Sequence, residues 1–156
     1  MIRILSWIPG FYPTSINKLP LPSAYLQLER LGRWRPPSIE LLETVFGEKP
    51  GDPCFYTRDY LSRENKNLPD RIADDEYFIG DHDETLAPGR IRKNKVVFIG
   101  DLGVDRPIAL DYQENYYEPS IIYLRWTPVG SRWVKIADTF EELIKMLKLN
   151  GTASDG

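Results

Sequence analysis

The sequence predicts an α+β fold in which helices pack on one face of a mostly antiparallel mixed sheet. The first half of the 156-residue chain contains short segments of helical periodicity separated by prolines. The second half contains four strand-like runs whose connections are too short for helical crossovers. The chain then forms an amphipathic helix, which needs an apolar surface such as a sheet to cover. Together these three observations favour α+β over an all-helical or all-β protein.

Length and composition are those of one globular domain. A chain of 156 residues with 42% apolar and 28% charged residues is close to the globular average. We predict a single domain over residues 1–150 and a mobile C-terminal tail over 151–156. The single cysteine, Cys54, cannot form an internal disulfide. No apolar run approaches the roughly 20 residues of a membrane helix. These features predict a cytoplasmic protein that makes no membrane contact.

Three helices are predicted in the first half from apolar spacing and end signals. The first covers 22–31, with proline in its first turn and a glycine after its end. The second covers 38–46, with Ser38 as its N-cap and Gly47 as its stop. The third, over 57–66, has only a thin apolar face.

Strands are predicted where apolar residues alternate or run continuously. The continuous run Val96 to Ile99 is typical of a central strand, covered on both faces. The loop 127–131 joins the last two strands into a hairpin. Six segments carry such patterns: 3–8, 76–79, 95–99, 107–112, 120–126 and 132–136. The short spacings predict an antiparallel meander.

The C-terminal helix has the clearest signals of all the elements. Asp138, three residues before Glu141, resembles a capping box and predicts that the helix begins there. Asn150 and the glycine after it predict its end. Four apolar side chains recur at helical spacing and predict the buried face: Phe140, Leu143, Ile144 and Leu147.

The negative charge of the chain is concentrated in one segment. The net charge is −3, but residues 70–84 carry seven acidic residues and one arginine, whereas both flanking segments are slightly positive. The segment is either a solvated loop or a docking patch for a basic protein. No basic stripe is present, which argues against direct binding of nucleic acid. The candidate partner-binding residues of this segment are Asp74, Asp75, Glu76, Asp81, Asp83 and Glu84.

Two adjacent tyrosines are the aromatic candidates for a protein interface. Tyr116 and Tyr117 lie in the loop 113–118 between two predicted strands. Tyrosine is enriched at interfaces, although it is also a core residue. Trp133, by contrast, lies within a strand and is predicted to be buried. We therefore add the two tyrosines to the candidate partner-binding residues.

The ionisable residues provide no persuasive catalytic set. His82, the only histidine, lies within the acidic residues 81–84, but adjacent residues of one loop seldom converge on a metal ion. Cys54 lacks a neighbourhood that promotes the thiolate and is predicted to be a semi-buried thiol. Residues 100–103 predict a turn, since no helix follows to bind phosphate. Asp111 is predicted to be a structural carboxylate that bonds backbone amides. We expect no catalytic residue, cofactor or metal.

The order of motifs in the second half is similar to that of a known family. The motifs are FIGDLG at 98–103, PIALDY at 107–112, PSIIY at 119–123, WVKIA at 133–137 and DTFEEL at 138–143. This order resembles the SUKH superfamily, which includes the fungal cell-wall assembly regulator and many bacterial immunity proteins of polymorphic toxin systems. The resemblance covers residues 95–147, whereas the proline-rich segment 33–75 departs from the family pattern.

The resemblance implies an α+β fold, a protein-binding role and no catalytic machinery. It leads to the hypothesis of an immunity protein that masks a cognate toxin. The partner is then a basic toxin domain, and in a nuclease the acidic segment would occupy the groove that holds phosphates. Two alternatives stay open: a regulatory scaffold for a cell-wall or signalling protein, and a metal-dependent hydrolase at His82. We expect a monomer or weak dimer.

Overall fold

The structure is a computed structural model, and it describes residues 13–69, 79–80 and 88–150. The strands in this part of the chain are β1 (Ser15–Ile16), β2 (Leu19–Pro20), β3 (Cys54–Phe55), β4 (Pro88–Gly89), β5 (Val96–Asp101), β6 (Pro107–Asp111), β7 (Ser120–Thr127) and β8 (Gly130–Ala137). The helices are α1 (Ser23–Arg30), α2 (Ile39–Phe46), α3 (Arg58–Asn65) and α4 (Phe140–Met146).

One six-stranded sheet, in the order β3-β5-β6-β7-β8-β4, is the centre of the described fold. Every neighbouring pair in it is antiparallel, and β1 and β2 form a separate antiparallel pair. Strands β5 to β8 follow one another in both sequence and space, because their short connections allow only hairpin-like pairing. The predicted α+β class with an antiparallel sheet is therefore confirmed.

Most predicted elements are present with ends shifted by one or two residues, but the C-terminal helix ends at Met146, well before the end predicted at Asn150. The hairpin loop is shorter than predicted, because Thr127 already pairs with Gly130 and leaves only two residues in the turn. Ile79 has helical backbone, so the strand predicted at 76–79 is wrong at its one described residue. The strand predicted at 3–8 and the tail at 151–156 lie outside the described residues. None of the described helices is long and apolar enough to cross a membrane.

Helices α2 and α4 pack on the same face of the sheet. Phe55 of β3 and Tyr123 of β7 share this face, because residues paired across the ladder point to one side. Phe46 of α2 packs edge-on against Tyr123, with ring centroids 5.3 Å apart. Trp34, which follows α1, stacks on Phe55 at 4.3 Å and lies 5.2 Å from Phe140 of α4.

Helix α1 joins this layer through α4. The Tyr25 ring of α1 meets Phe140 edge-on at 5.9 Å. The predicted apolar face of α4 is confirmed, because all four of its side chains are buried: Phe140, Leu143, Ile144 and Leu147.

The cap of α4 lies one residue later than predicted. Thr139 is the N-cap, and its hydroxyl accepts a hydrogen bond from the Glu142 backbone N–H at 3.1 Å. The Glu142 carboxylate in turn accepts from the Asp138 N–H at 3.1 Å. Asp138 is therefore not the capping residue, and its own carboxylate pairs with Lys135 at 3.2 Å. Both Asp138 and Thr139 have an acidic residue three positions later, so spacing alone does not distinguish the two starts.

Helix α3 lies at the edge of β5 that β3 leaves uncovered. Within the described residues, strand β3 pairs with Gly100 and Asp101 of β5 and does not extend to Phe98. The fully buried Asn65 side chain donates to the Phe98 carbonyl at 2.8 Å and accepts from its N–H at 2.7 Å. It also donates to the Leu61 carbonyl of its own helix at 2.9 Å. One amide side chain thus makes the hydrogen bonds to β5 that a residue of a neighbouring strand would otherwise make.

The opposite face of the central strands is covered as well. Every residue of β6 is buried, which requires apolar contact on both sides. Phe98 and the fully buried Trp133 approach each other there with ring centroids 5.8 Å apart, so the prediction of a core Trp133 is confirmed. Gly80 fits closely against this layer, because a Cβ at its position would lie 2.9 Å from the Trp133 ring.

Candidate functional site

The loop between β6 and β7, residues 113–118, presents both predicted tyrosines at the surface. We call it the tyrosine loop. Tyr116 is 43% exposed and Tyr117 is 78% exposed. Their rings meet edge-on, with centroids 5.0 Å apart at 88°. The structure therefore brings these two candidate residues into one exposed aromatic pair.

The first half of the tyrosine loop is fixed by Asp111, the last residue of β6. Its carboxylate accepts from the Gln113 backbone N–H and from the Gln113 side-chain amide, both at 3.1 Å. Burial raises the pKa of Asp111, and the hydrogen bonds from Gln113 act against this shift. The prediction that Asp111 is a structural carboxylate bonding backbone amides is confirmed.

The second half of the loop is fixed by Asn115. Its side-chain oxygen accepts from the backbone N–H groups of Tyr117 at 2.9 Å and Glu118 at 3.0 Å. The Tyr116 hydroxyl donates to the Lys18 carbonyl at 2.7 Å, which fastens the loop to the β1–β2 turn. The Tyr117 ring is thus exposed on a backbone that is already ordered. The loop would therefore lose little conformational entropy when a partner binds.

Carboxylates line the two hollows on the Tyr117 side of the loop. A crevice of about 130 Å³ has Tyr117, Pro22 and Phe140 in its walls. A neighbouring hollow of about 190 Å³ is lined by several acidic residues and by Lys135, which pairs with Asp138. Four exposed residues of these hollows form what we call the acidic rim: Glu114, Glu118, Asp138 and Glu141.

Among the described residues, the Tyr116 side of the loop has the opposite charge. A hollow of about 480 Å³ there is lined by Tyr116, Lys18, Lys95 and Asn94. The tyrosine loop therefore divides an acidic surface from a basic one. A partner seated on Tyr117 meets carboxylates, whereas one that extends past Tyr116 meets lysines.

The sequence identified only part of this surface. Lys18, Pro22 and Glu141 lie far from the loop along the chain, and no local pattern signals that they meet it. The remaining six candidate residues lie outside the described residues: Asp74, Asp75, Glu76, Asp81, Asp83 and Glu84. His82 also lies outside them.

Cys54 and residues 100–103 differ from their predictions. Cys54 is exposed on the edge strand β3, so the prediction of a semi-buried thiol is wrong. Partial desolvation raises its pKa, and the charges of Asp101 and Asp52 raise it further, which disfavours the reactive thiolate. Gly100 and Asp101 still belong to β5, and the predicted turn begins only at Leu102. Within the described ranges, no three His, Cys, Asp or Glu side chains are grouped to hold a metal ion.

Comparison with known proteins yields no matching family model, no similar curated protein and no similar solved structure. The resemblance to the SUKH superfamily therefore stays a prediction. The function has to be argued from the tyrosine loop, the acidic rim and the chemistry of the surrounding surface.

Proposed function

We propose that this chain is a non-catalytic protein-binding domain that acts as an immunity protein, masking a cognate toxin through the tyrosine loop. The observation that carries the proposal is Tyr117, a large aromatic side chain exposed on an ordered backbone. Exposed tyrosines of this kind are enriched among the residues that dominate protein interfaces. The motif order that resembles the SUKH superfamily is what suggests a toxin as the partner.

The acidic rim supports a basic partner. Its carboxylates are exposed, so they act mainly by steering the encounter and by excluding partners of the wrong charge. Tyr117 is expected to contribute through slow dissociation, because the burial of an aromatic ring strengthens the bound state. The seven acidic residues of the segment 70–84 also favour a basic partner, and that part of the proposal rests on the sequence alone.

The decisive experiment is one-to-one capture of the product of the adjacent gene, followed by calorimetric titration. We expect Tyr117→Ala to weaken the affinity about 30-fold, which corresponds to about 2 kcal/mol for a central interface residue. Val129→Ala is the matched control. Val129 is 86% exposed at the far end of β7, and its loss should change the affinity less than about 2-fold.

A double variant separates the electrostatic steering of the partner from its direct contact with Tyr117. Glu118→Gln with Glu141→Gln should lower the association rate and flatten its dependence on salt, with little effect on dissociation. Unchanged affinity of Tyr117→Ala would place the interface elsewhere on the molecule. If the adjacent product is not bound but a purified cell-wall or signalling factor is, the regulatory alternative replaces the immunity role.

A further inference from the structure

A second concave region lies at the other end of strand β6 from the tyrosine loop. It is a cleft of about 420 Å³ between helix α3, the end of β5 and the turn that leads into β6. Tyr56 and Tyr60 form one wall, with ring centroids 4.8 Å apart at 63°. Val104, which is 89% exposed, forms an apolar lip. We call this region the β5 cleft.

A fixed carboxylate lies inside the β5 cleft. Asp101 accepts a hydrogen bond from the Tyr56 hydroxyl at 2.7 Å and another from the Gly103 N–H at 3.1 Å. Each carboxylate oxygen has two lone pairs, so both can accept a further hydrogen bond. Asp101 is therefore held in a defined orientation beside the aromatic wall.

Acidic residues outnumber basic ones in the lining of the cleft, which has Asp52, Glu64, Asp101 and Asp105 against Arg106. Burial raises the pKa of Asp101, and the charges of Glu64 and Asp52 raise it further, against the hydrogen bonds from Tyr56 and Gly103. The charge of Glu64 is also the main cause of the raised pKa of Tyr60. The same negative potential that makes these groups harder to deprotonate favours a cation in the cleft.

Arg106, which lines the cleft, and Arg63, which lies beside Tyr60, both have their guanidinium groups engaged by other groups. Arg106 donates to the Lys49 and Leu102 carbonyls, both at 3.0 Å, and lies 3.7 Å from Glu48. Arg63 pairs with Asp59 at 3.0 Å and lies over the Tyr60 ring at 5.9 Å from its centroid. The Arg63 contact shows that this ring accepts a guanidinium in a cation–π arrangement.

We propose that the β5 cleft is a docking site for an arginine side chain presented by a protein partner. The guanidinium would donate to the Asp101 carboxylate while it packs beside the Tyr60 ring, and the nearby charge of Glu64 would add to the attraction. Arginine fits this combination better than lysine, because its planar guanidinium stacks on aromatic rings and can donate two parallel hydrogen bonds to one carboxylate. A polypeptide fits better than a small cation, because only a polypeptide would also cover Val104. The identity of that partner rests on the proposed function, whereas the arginine site itself does not.

The test uses the isolated protein, so it does not depend on finding the toxin. Acetyl-arginine amide is titrated into ¹⁵N-labelled protein, with acetyl-citrulline amide as its uncharged isostere and acetyl-lysine amide as the second cation. We expect saturable shifts of the Tyr60, Asp101 and Val104 amides with arginine, weaker binding of lysine and none of citrulline. Shifts that citrulline reproduces, or that never saturate, would overturn the proposal.

Conservative variants locate the site. Glu64→Gln and Tyr60→Ala should each weaken arginine binding about 3-fold or more, and Tyr60→Phe should restore it because the ring remains. Glu43→Gln, at an exposed helical glutamate of α2, is the matched charge control and should bind arginine normally. Equal weakening by Glu43→Gln would show a non-specific charge effect and would also overturn the proposal. If the protein binds acetyl-arginine amide but captures no toxin, that result would count against the proposed function only.

Discussion

The tyrosine loop and the β5 cleft contain the same types of residue but use them differently. They lie at opposite ends of β6, a strand of five residues that spans about 15 Å. In the loop, polar side chains bond the backbone and leave the Tyr117 ring exposed. In the cleft, a tyrosine and a carboxylate bond each other, and the Tyr56 ring is buried.

Burial determines what a tyrosine and a carboxylate do together in the two regions. The acidic rim consists of exposed carboxylates, whose influence is long-ranged but weak and sensitive to salt. The carboxylate of Asp101 is partly buried, so its field is screened less by solvent and is stronger inside the cleft. The loop is therefore suited to the first encounter with a broad surface, and the cleft to one defined side chain.

The largest expected effect comes from the asparagine that supports the cleft. Asn65→Leu keeps the branched shape of the side chain but removes its hydrogen bonds to the buried N–H and carbonyl of Phe98. We expect a loss of about 3–5 kcal/mol in the free energy of unfolding, measured in urea, because each unpaired group costs about 1–3 kcal/mol. A loss below 1 kcal/mol would mean that the edge of β5 is not closed as described.

An intermediate effect is expected at alkaline pH, with one tyrosine from each region. Burial raises the pKa of Tyr56 in the cleft and of Tyr112 at the base of the loop well above the ordinary value. The unfolded chain ionises near pH 10, while the folded protein keeps these protons. The free energy of unfolding should have its full value below that pH. As the pH rises further, it should fall by about 1.4 kcal/mol per pH unit for each residue.

Tyr56→Phe and Tyr112→Phe test this assignment separately. In urea titrations between pH 10 and 11.5, the free energy of unfolding of each variant should fall less steeply with pH. The reason is that one proton whose release is coupled to unfolding has been removed. The variant at the cleft also loses the hydrogen bond to Asp101, and the variant at the loop loses the bond to the Pro20 carbonyl. A slope that neither substitution alters would contradict the assignment.

The smallest effect on stability is expected for the asparagine that supports the loop. Asn115→Ala removes two exposed hydrogen bonds, from Tyr117 and Glu118, and should cost about 0.5–1 kcal/mol of unfolding free energy. Affinity for the partner should fall more than stability, because Tyr117 would then have to be ordered on binding. Hydrogen exchange of the loop amides should accelerate, while the amide of Phe98 stays protected. Slow loop exchange in the variant would contradict this role for Asn115.

Much of the fold follows from local pattern. Ser38 and Gly47 mark the ends of α2 as predicted, since a capping hydroxyl and a left-handed glycine are local requirements. The sequence also predicts Tyr116 and Tyr117 as interface candidates, because a loop between two strands exposes its side chains. The start of α4 was misplaced by one residue, since Asp138 and Thr139 offer nearly equivalent caps.

By itself the sequence determined the α+β class, the order of the main strands and the exposed tyrosine pair, because periodicity and turn residues act over a few positions. Only the tertiary structure decided that Asn65 closes the edge of β5, that Cys54 is exposed and that Tyr56 meets Asp101. These outcomes depend on residues that are 33 to 45 positions apart or on the coverage of an edge strand. Burial and hydrogen-bond pairing at that range are set by how the elements pack, and no local pattern encodes them.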